Sequence, residues 1–289
     1  MSWLVLAYLP PQQSRNPVVI IVVFLAILFS TLLLMSPMLG RNARMLRVLK
    51  AVMDAHRRGD YQMQLKLAEG FRVNDSAPHP YLFYRGSAFY QLGRLYEADL
   101  ALRRCLSVRA NTNLRSVCLS QLGRVYMEQE RWEDALERFQ ESIAAAPWRG
   151  SGHRATAELL LRQGVQPESA LDFARKAVAA DRSETVYLGK RGKAAHDCNV
   201  GESLAVFAWA LAKNRGSRAE IEGALNQAFA LCGENSRPVL ASLHFWAGHA
   251  YSALGDAAAG SRHFKAAAET DPAGNYGRLA QPLSAAMNS

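Results

Sequence analysis

The sequence predicts an all-α protein, a solenoid of about six helix-turn-helix units preceded by one transmembrane helix, and three observations carry that prediction. An uncharged apolar run, PVVIIVVFLAILFSTLLLMSPML, occupies Pro17 to Leu39. Beyond it, small and aromatic residues recur at one set of offsets, with short turns between them. The composition, 49% hydrophobic and 20% charged over 289 residues, is that of an ordered chain with enough apolar side chains to bury a core.

The N-terminal elements come first. Residues 1–16, MSWLVLAYLPPQQSRN, carry Trp3 and Tyr8 and are broken by Pro10 and Pro11, so they read as an interfacial segment too short to span. As a helix, residues 17–39 would extend roughly 33 Å, close to the ~30 Å hydrocarbon core of a bilayer. Asn16 is placed to cap its free amides, and Pro17 at the first helical position loses no hydrogen bond. A cleaved signal peptide would have a shorter apolar run, a more basic leader and a small-residue cleavage site. Only Arg15 precedes the span, whereas Arg41, Arg44, Arg47, Lys50, Arg57 and Arg58 follow it, which directs the C-terminal part to the cytoplasmic side. Residues 40–44 form a basic linker. Arg41, Arg44, Arg47 and Lys50 recur about once per helical turn, a spacing that either faces anionic headgroups or serves only to fix topology. Oligomeric state stays open.

The helix pairs are expected over 45–274. In the first, RRGDYQ supplies the turn, with Gly59 matching Gly93 of the next unit, while Val52 and Gln64 stand at the small-residue positions. The second holds Leu82, Gly86, Phe89, Ala98, Leu102 and Cys105, with QLGRLYEA spanning its turn. The third is the most regular: L-x2-L-G-x2-Y-x8-A-x3-F-x2-S-x4-P over 119–147, in which Gly123 and Ala135 let two antiparallel helices approach and Tyr126 and Phe139 fill the space beside them. Pro147 ends its second helix. Gly152 to Asp181 and Ser203 to Cys232 read as weaker pairs, the latter with its turn lengthened around Arg215 to Arg218. Residues 185–201 fit no repeat and read as a loop or an extra helical turn. The last pair repeats the offsets with His244, Ala247, Gly248, Tyr251, Gly260, Phe264, Ala267 and Pro272, and residues 275–289 are left as a tail.

The motif over 119–147 and its recurrences resemble the tetratricopeptide repeat, a helix-turn-helix unit of about 34 residues. The resemblance implies a right-handed superhelix whose first helices line a concave surface, and binding of a protein or peptide partner in that groove. The positions facing it are then His56, Arg57, Phe83, Ser87, Tyr90, Arg124, Met127, Arg162, Phe245 and His249, a mixture suited to an apolar segment flanked by acidic groups. Packing between neighbouring units is the competing use for the same side chains. Repeat domains that clamp the C-terminal carboxylate of cytosolic chaperones use Lys and Asn where this chain has Phe83, Ser87 and Gln121, so that subtype is disfavoured.

Nothing in the sequence points to catalysis. The seven histidines lack metal-ligand spacing, and no phosphate-binding glycine loop or nucleophile elbow occurs, so no catalytic residue, cofactor or metal is expected. Four cysteines, Cys105, Cys118, Cys198 and Cys232, form no CxxC pair; they read as buried thiols of a reducing compartment, with two disulfides in an oxidising one left open by counting. The net charge of +9 is dispersed over many helices, which gives no support for nucleic-acid binding. The expected function is a single-pass scaffold or adaptor of a bacterial-type inner membrane, its solenoid cytoplasmic, holding a protein partner at the membrane with anionic lipid as a further contact. The alternatives are a structural subunit of a larger membrane complex and a periplasmic assembly factor of reversed topology.

Overall fold

A computed structural model of the chain describes residues 45–70, 79–108, 111–183, 190–233 and 236–286. The interfacial segment, the expected span at 17–39, Arg41 and Arg44 lie outside the described residues. Among the described residues no helix is long and apolar enough to cross a membrane. The chain divides into two units, 1–50 and 51–289. In the first, residues 45–50 are helical, with Arg47 and Lys50 exposed.

The second unit is helical throughout its described secondary structure. Its helices pair in sequence: α1 (51–57) with α2 (Tyr61–Glu69), α3 (His79–Gln91) with α4 (Leu95–Ser107), α5 (Thr112–Glu128) with α6 (Trp132–Ala145), α7 (Gly150–Gln163) with α8 (Pro167–Ser183), α9 (Lys190–Lys213) with α10 (Arg218–Cys232), and α11 (Arg237–Ala253) with α12 (Ala257–Thr270). A last helix, α13 (Asn275–Ala286), has no partner of its own kind. The first helices α3, α5, α7, α9 and α11 pack on one another as an inner layer, and the second helices lie outside them. This is the solenoid that the tetratricopeptide resemblance implies.

The repeat offsets have the physical cause expected of them. A Cβ on Gly123 would run into the ring of Phe139 and lie 3.0 Å from the Ala135 carbonyl, and one on Gly248 would lie 2.7 Å from the Phe264 ring. The aromatic of each outer helix thus seats over a bare backbone on the inner one. Phe139, Ala135, Phe264 and Ala267 are at most 1% exposed. Tight turns join each pair, and the residue that reverses the chain takes a positive φ. It is Gly at 59, 93, 164 and 255, with φ of 72°, 73°, 68° and 79°, but Glu130 and Arg215 hold the same conformation with side chains, at 59° and 58°. Asp60 and Asp256 cap the following helices through their carboxylates, and Ser217 with Glu220 forms a full capping box on α10.

Two segments depart from the sequence-based expectation. Much of 185–201 is the N-terminal portion of α9, a helix of 24 residues that extends the inner layer. The expected C-terminal tail is largely α13, with Asn275, Tyr276, Gly277 and Ala280 buried. This helix packs on α11 and α12, where the first helix of a further repeat would stand, but it also reaches across the inside of the superhelix. Asn275 is bonded to Gln91 and Tyr90 of α3, and Tyr276 to Arg124 of α5 and Glu158 of α7. The same closure brings Tyr61 of α2 into a hydrogen bond with Asp271, just after α12.

Candidate functional site

The inner face of the superhelix has a closed half and an open half, and α13 is the divider. In the closed half, buried charges meet its N-terminal turn. Arg124 Nη1 donates to Glu158 Oε2 at 2.7 Å, Arg162 donates to Glu158 Oε1 at 2.8 Å and to Glu128 Oε1 at 2.9 Å, and the Tyr276 hydroxyl reaches both Glu158 oxygens at 3.0 and 3.1 Å. Asn275 Nδ2 donates to the Tyr90 hydroxyl at 2.8 Å and to Glu128 Oε1 at 3.1 Å. Glu158 has no exposed surface. Burial by itself would push its carboxyl up, but the guanidiniums of Arg124 and Arg162, with the hydrogen bonds from Tyr276 and Arg124, hold it at about 2. The group is a fully bonded carboxylate between two cations, and its free lone pairs are spent on a helix of the same chain.

Beside it Phe245, 3% exposed, meets the Tyr276 ring at 5.2 Å and receives the Arg162 guanidinium at 5.5 Å. His249 stacks on Trp209 at 4.5 Å and lies edge-on to Phe245 at 4.7 Å. Burial, then the neighbouring Arg162 charge, lowers it to about 3, so it is neutral at physiological pH. Met127 is 1% exposed in the core. Six of the ten positions proposed from the sequence, Tyr90, Arg124, Met127, Arg162, Phe245 and His249, are therefore engaged by the chain itself, and three of them, Tyr90, Arg124 and Phe245, meet α13 directly.

The open half lies between α1, α3 and α9. A cavity of about 520 Å³ is lined by Met53, His56, Arg57, Phe83, Tyr84, Ala194, Ala195, Cys198, Asn199, Ser236 and Val239. A smaller one of about 280 Å³ adjoins it, sharing His56, Phe83, Tyr84, Asn199 and Val239, and adds Ser87, Gln91, Gln121, Arg154, Glu202 and Pro238, with Tyr90, Arg124 and Tyr276 of the closed half forming its inner end. The remaining sequence-derived positions, His56, Arg57, Phe83 and Ser87, thus come together on these walls, where Tyr90 and Arg124 join them at the boundary with the closed half. His56 is held by Gln64 Oε1 at 3.0 Å, and Gln64 in turn donates to the Tyr84 carbonyl at 2.7 Å, which fixes α1 and α2 against α3. Burial lowers the His56 pKa, so the imidazole is a neutral hydrogen-bonding group. Among the described residues Arg57 forms an ion pair with Asp54 of its own helix at 3.2 Å, with both side chains more than a third exposed, so its charge stays available to a ligand.

Asn199 and Arg154 are among the lining residues that sequence reasoning missed. Arg154, 7% exposed, donates to the Asn199 carbonyl at 3.1 Å and pairs with Glu202 at 2.7 Å, and so props α9 against α7. Asn199 falls in the stretch that fitted no repeat, which left no register from which to assign it to the inner face. The walls combine aromatic and aliphatic surface with one exposed cation and several amide groups, a set that can take an extended apolar segment and pair with a carboxylate. Among the described residues no group of three or more His, Cys, Asp or Glu side chains could hold a metal ion.

No protein-family model matches the chain, and no curated protein matches it. Several solved structures are similar to it. One is the APC/C hetero-tetramer Cut9-Hcn1, at 15% identity over 79% of this chain with a TM-score of 0.49; the match spans only 40% of that longer chain. PilF of Pseudomonas aeruginosa is 15% identical over 84% of this chain and 99% of its own, with a TM-score of 0.48. YrrB, described as a TPR protein with an unusual peptide-binding site, is 18% identical over 76% of this chain and 96% of its own, with a TM-score of 0.36.

Proposed function

We propose that this chain is a protein-binding scaffold whose partner enters as a short extended segment in the open half of the inner surface. The observation that carries the reading is the pair of adjoining cavities between α1, α3 and α9, next to a closed half already filled by α13. The partner would place apolar side chains against Phe83, Tyr84 and Val239 and an acidic group by Arg57, burying aromatic surface and using a cation that has only a weak surface partner. Membrane attachment through residues 17–39, with Arg41, Arg44, Arg47 and Lys50 beside anionic headgroups, is the second part of the proposal. It rests on the apolar run itself and would raise the local concentration of whatever the groove holds.

The test is selection of peptides from a displayed random library on the full-length chain in mild detergent. Selected peptides should share an apolar pair next to Asp or Glu. Phe83→Ala and Arg57→Glu should each weaken them by roughly tenfold, the scale of one lost anchor. Tyr96→Ala, on the outer face where Tyr96 is 70% exposed, should leave them unchanged. Peptides that bind all three variants equally would remove the groove from consideration.

A further inference from the structure

Four cysteines scattered over 105–232 allow three pairings on paper, but the fold sorts them into one. Cys105, in the last turns of α4, and Cys118, on α5, lie with their Sγ atoms 3.0 Å apart. Both are 0% exposed, in a small satellite core with Leu82. A disulfide bond of about 2.0 Å is reached from there by roughly 1 Å of approach. Cys198 on α9 and Cys232, the last residue of α10, form the other pair. Cys232 Sγ lies 3.6 Å from the Cys198 carbonyl, and Cys198 Sγ lies 4.0 Å from the Cys232 carbonyl. Gly201 leaves the space that the second sulfur occupies, since a Cβ there would come within 2.5 Å of Cys232 Sγ. The two pairs differ in one respect. Cys105, Cys118 and Cys232 are at most 1% exposed, whereas Cys198 is partly exposed and forms part of the wall of the 520 Å³ cavity.

We propose that the chain carries two disulfide-forming sites, Cys105 with Cys118 and Cys198 with Cys232, and that the second is reached from the groove through Cys198. The reaction is thiol–disulfide exchange with an oxidant of the disulfide class, such as glutathione disulfide or an oxidised thiol oxidoreductase. The Cys198 thiolate attacks one sulfur of the oxidant, forming a mixed disulfide and releasing one thiolate that takes up a proton. Cys232, its proton lost to solvent, then attacks Cys198 Sγ and expels the second thiolate. Two protein thiols are oxidised and one oxidant disulfide is reduced to two thiols. The Cys232 thiol hydrogen-bonds to Cys198 and lowers its pKa, which suits Cys198 to the first attack. Cys105 and Cys118, sealed in their core, exchange only when α4 and α5 separate or during folding. This inference is independent of what the groove binds.

The experiment uses the full-length chain in mild detergent, fully reduced, then incubated with glutathione disulfide. Samples are blocked at intervals with N-ethylmaleimide, and linked peptides are mapped by mass spectrometry without reduction, with circular dichroism confirming that the helices persist. The expected products are the 198–232 link first and the 105–118 link later, slower by roughly tenfold or more, with no crossed pairs. Cys232→Ser should trap glutathione on Cys198, and Cys198→Ser should leave Cys232 unmodified while the 105–118 link still forms. Crossed pairings, closure of 105–118 first, glutathione adducts that never resolve to an internal link in the unaltered chain, or ready modification of Cys232 in Cys198→Ser would each overturn the proposal.

Discussion

Replacing Glu158 by Gln keeps the shape of the side chain that joins α7, α5 and α13 and removes its charge. Arg162 retains Glu128 at 2.9 Å, but Arg124 is left buried with the Tyr276 hydroxyl and no carboxylate. Removing one partner of a buried ion pair costs about 3–5 kcal/mol, because the surviving charge stays desolvated. The acid titration gives the same scale by another route. The folded carboxyl sits at about 2 against an ordinary value of 4.5, a difference worth roughly 3 kcal/mol at about 1.4 kcal/mol per unit. Because the folded value is the lower one, this contribution is complete above pH 4.5 and fades as pH falls from there to about 2. Urea unfolding of the full-length chain, followed by far-ultraviolet circular dichroism at neutral pH, should therefore show Glu158→Gln to be about 3 kcal/mol or more less stable. The variant should also lose that share of the acid slope. Combined with Tyr276→Phe, the two losses should be less than additive, since both remove the same bond to α13. A loss below about 1 kcal/mol, or an unchanged acid slope, would mean that the network is not held as a desolvated unit.

Other substitutions test the repeat itself. Gly123→Ala forces a methyl between the Phe139 ring and the Ala135 carbonyl, and overpacking should outweigh the gain in helix propensity, with a net loss of about 1–2 kcal/mol in denaturant unfolding. Glu130→Gly relieves an L-residue held at φ 59° and should stabilise the chain by about 0.5–1 kcal/mol, seen as a higher urea midpoint at constant m-value. Burial, then each neighbour's charge, lowers His244 to about 4 beside His263 and His249 to about 3 beside Arg162. Their unfolded forms take up protons below the ordinary 6.5 while the folded forms do not, so the melting temperature should fall from pH 7 to pH 5, and His244→Gln should reduce that fall.

The parts of the fold that could be read in advance are those whose signals are local. Gly123, Ala135 and Phe139 meet within one helix pair, and the turns at Gly59, Gly93 and Gly255 need a positive φ whatever surrounds them, so residue type and spacing betray both. The terminal helix could not be read this way. Its key side chains, Asn275 and Tyr276, find their partners on α3, α5 and α7, more than a hundred residues away, and no periodicity within 275–289 announces that Tyr276 will meet Glu158. The inner face was legible as a face, since first-helix positions such as Phe83 and Arg124 do point inward. Which part of it is open depended on where α13 lies. Residues 185–201 were obscure for a different reason: the segment extends a helix beyond the repeat length, so the register offers no template for Asn199.

A row of repeats that touch only their neighbours comes apart from its ends, because the first and last units each lack one interface. Here Tyr61 is tied to Asp271, and α13 is tied to α3, α5 and α7, so the stack inside the second unit has no loose end of the ordinary kind. Peeling away the first pair would break bonds to the last, and losing the last helix would unmoor three inner ones at once. Such a loop should melt as a single transition and exchange its inner-helix amides together, even though its parts are strung out like beads.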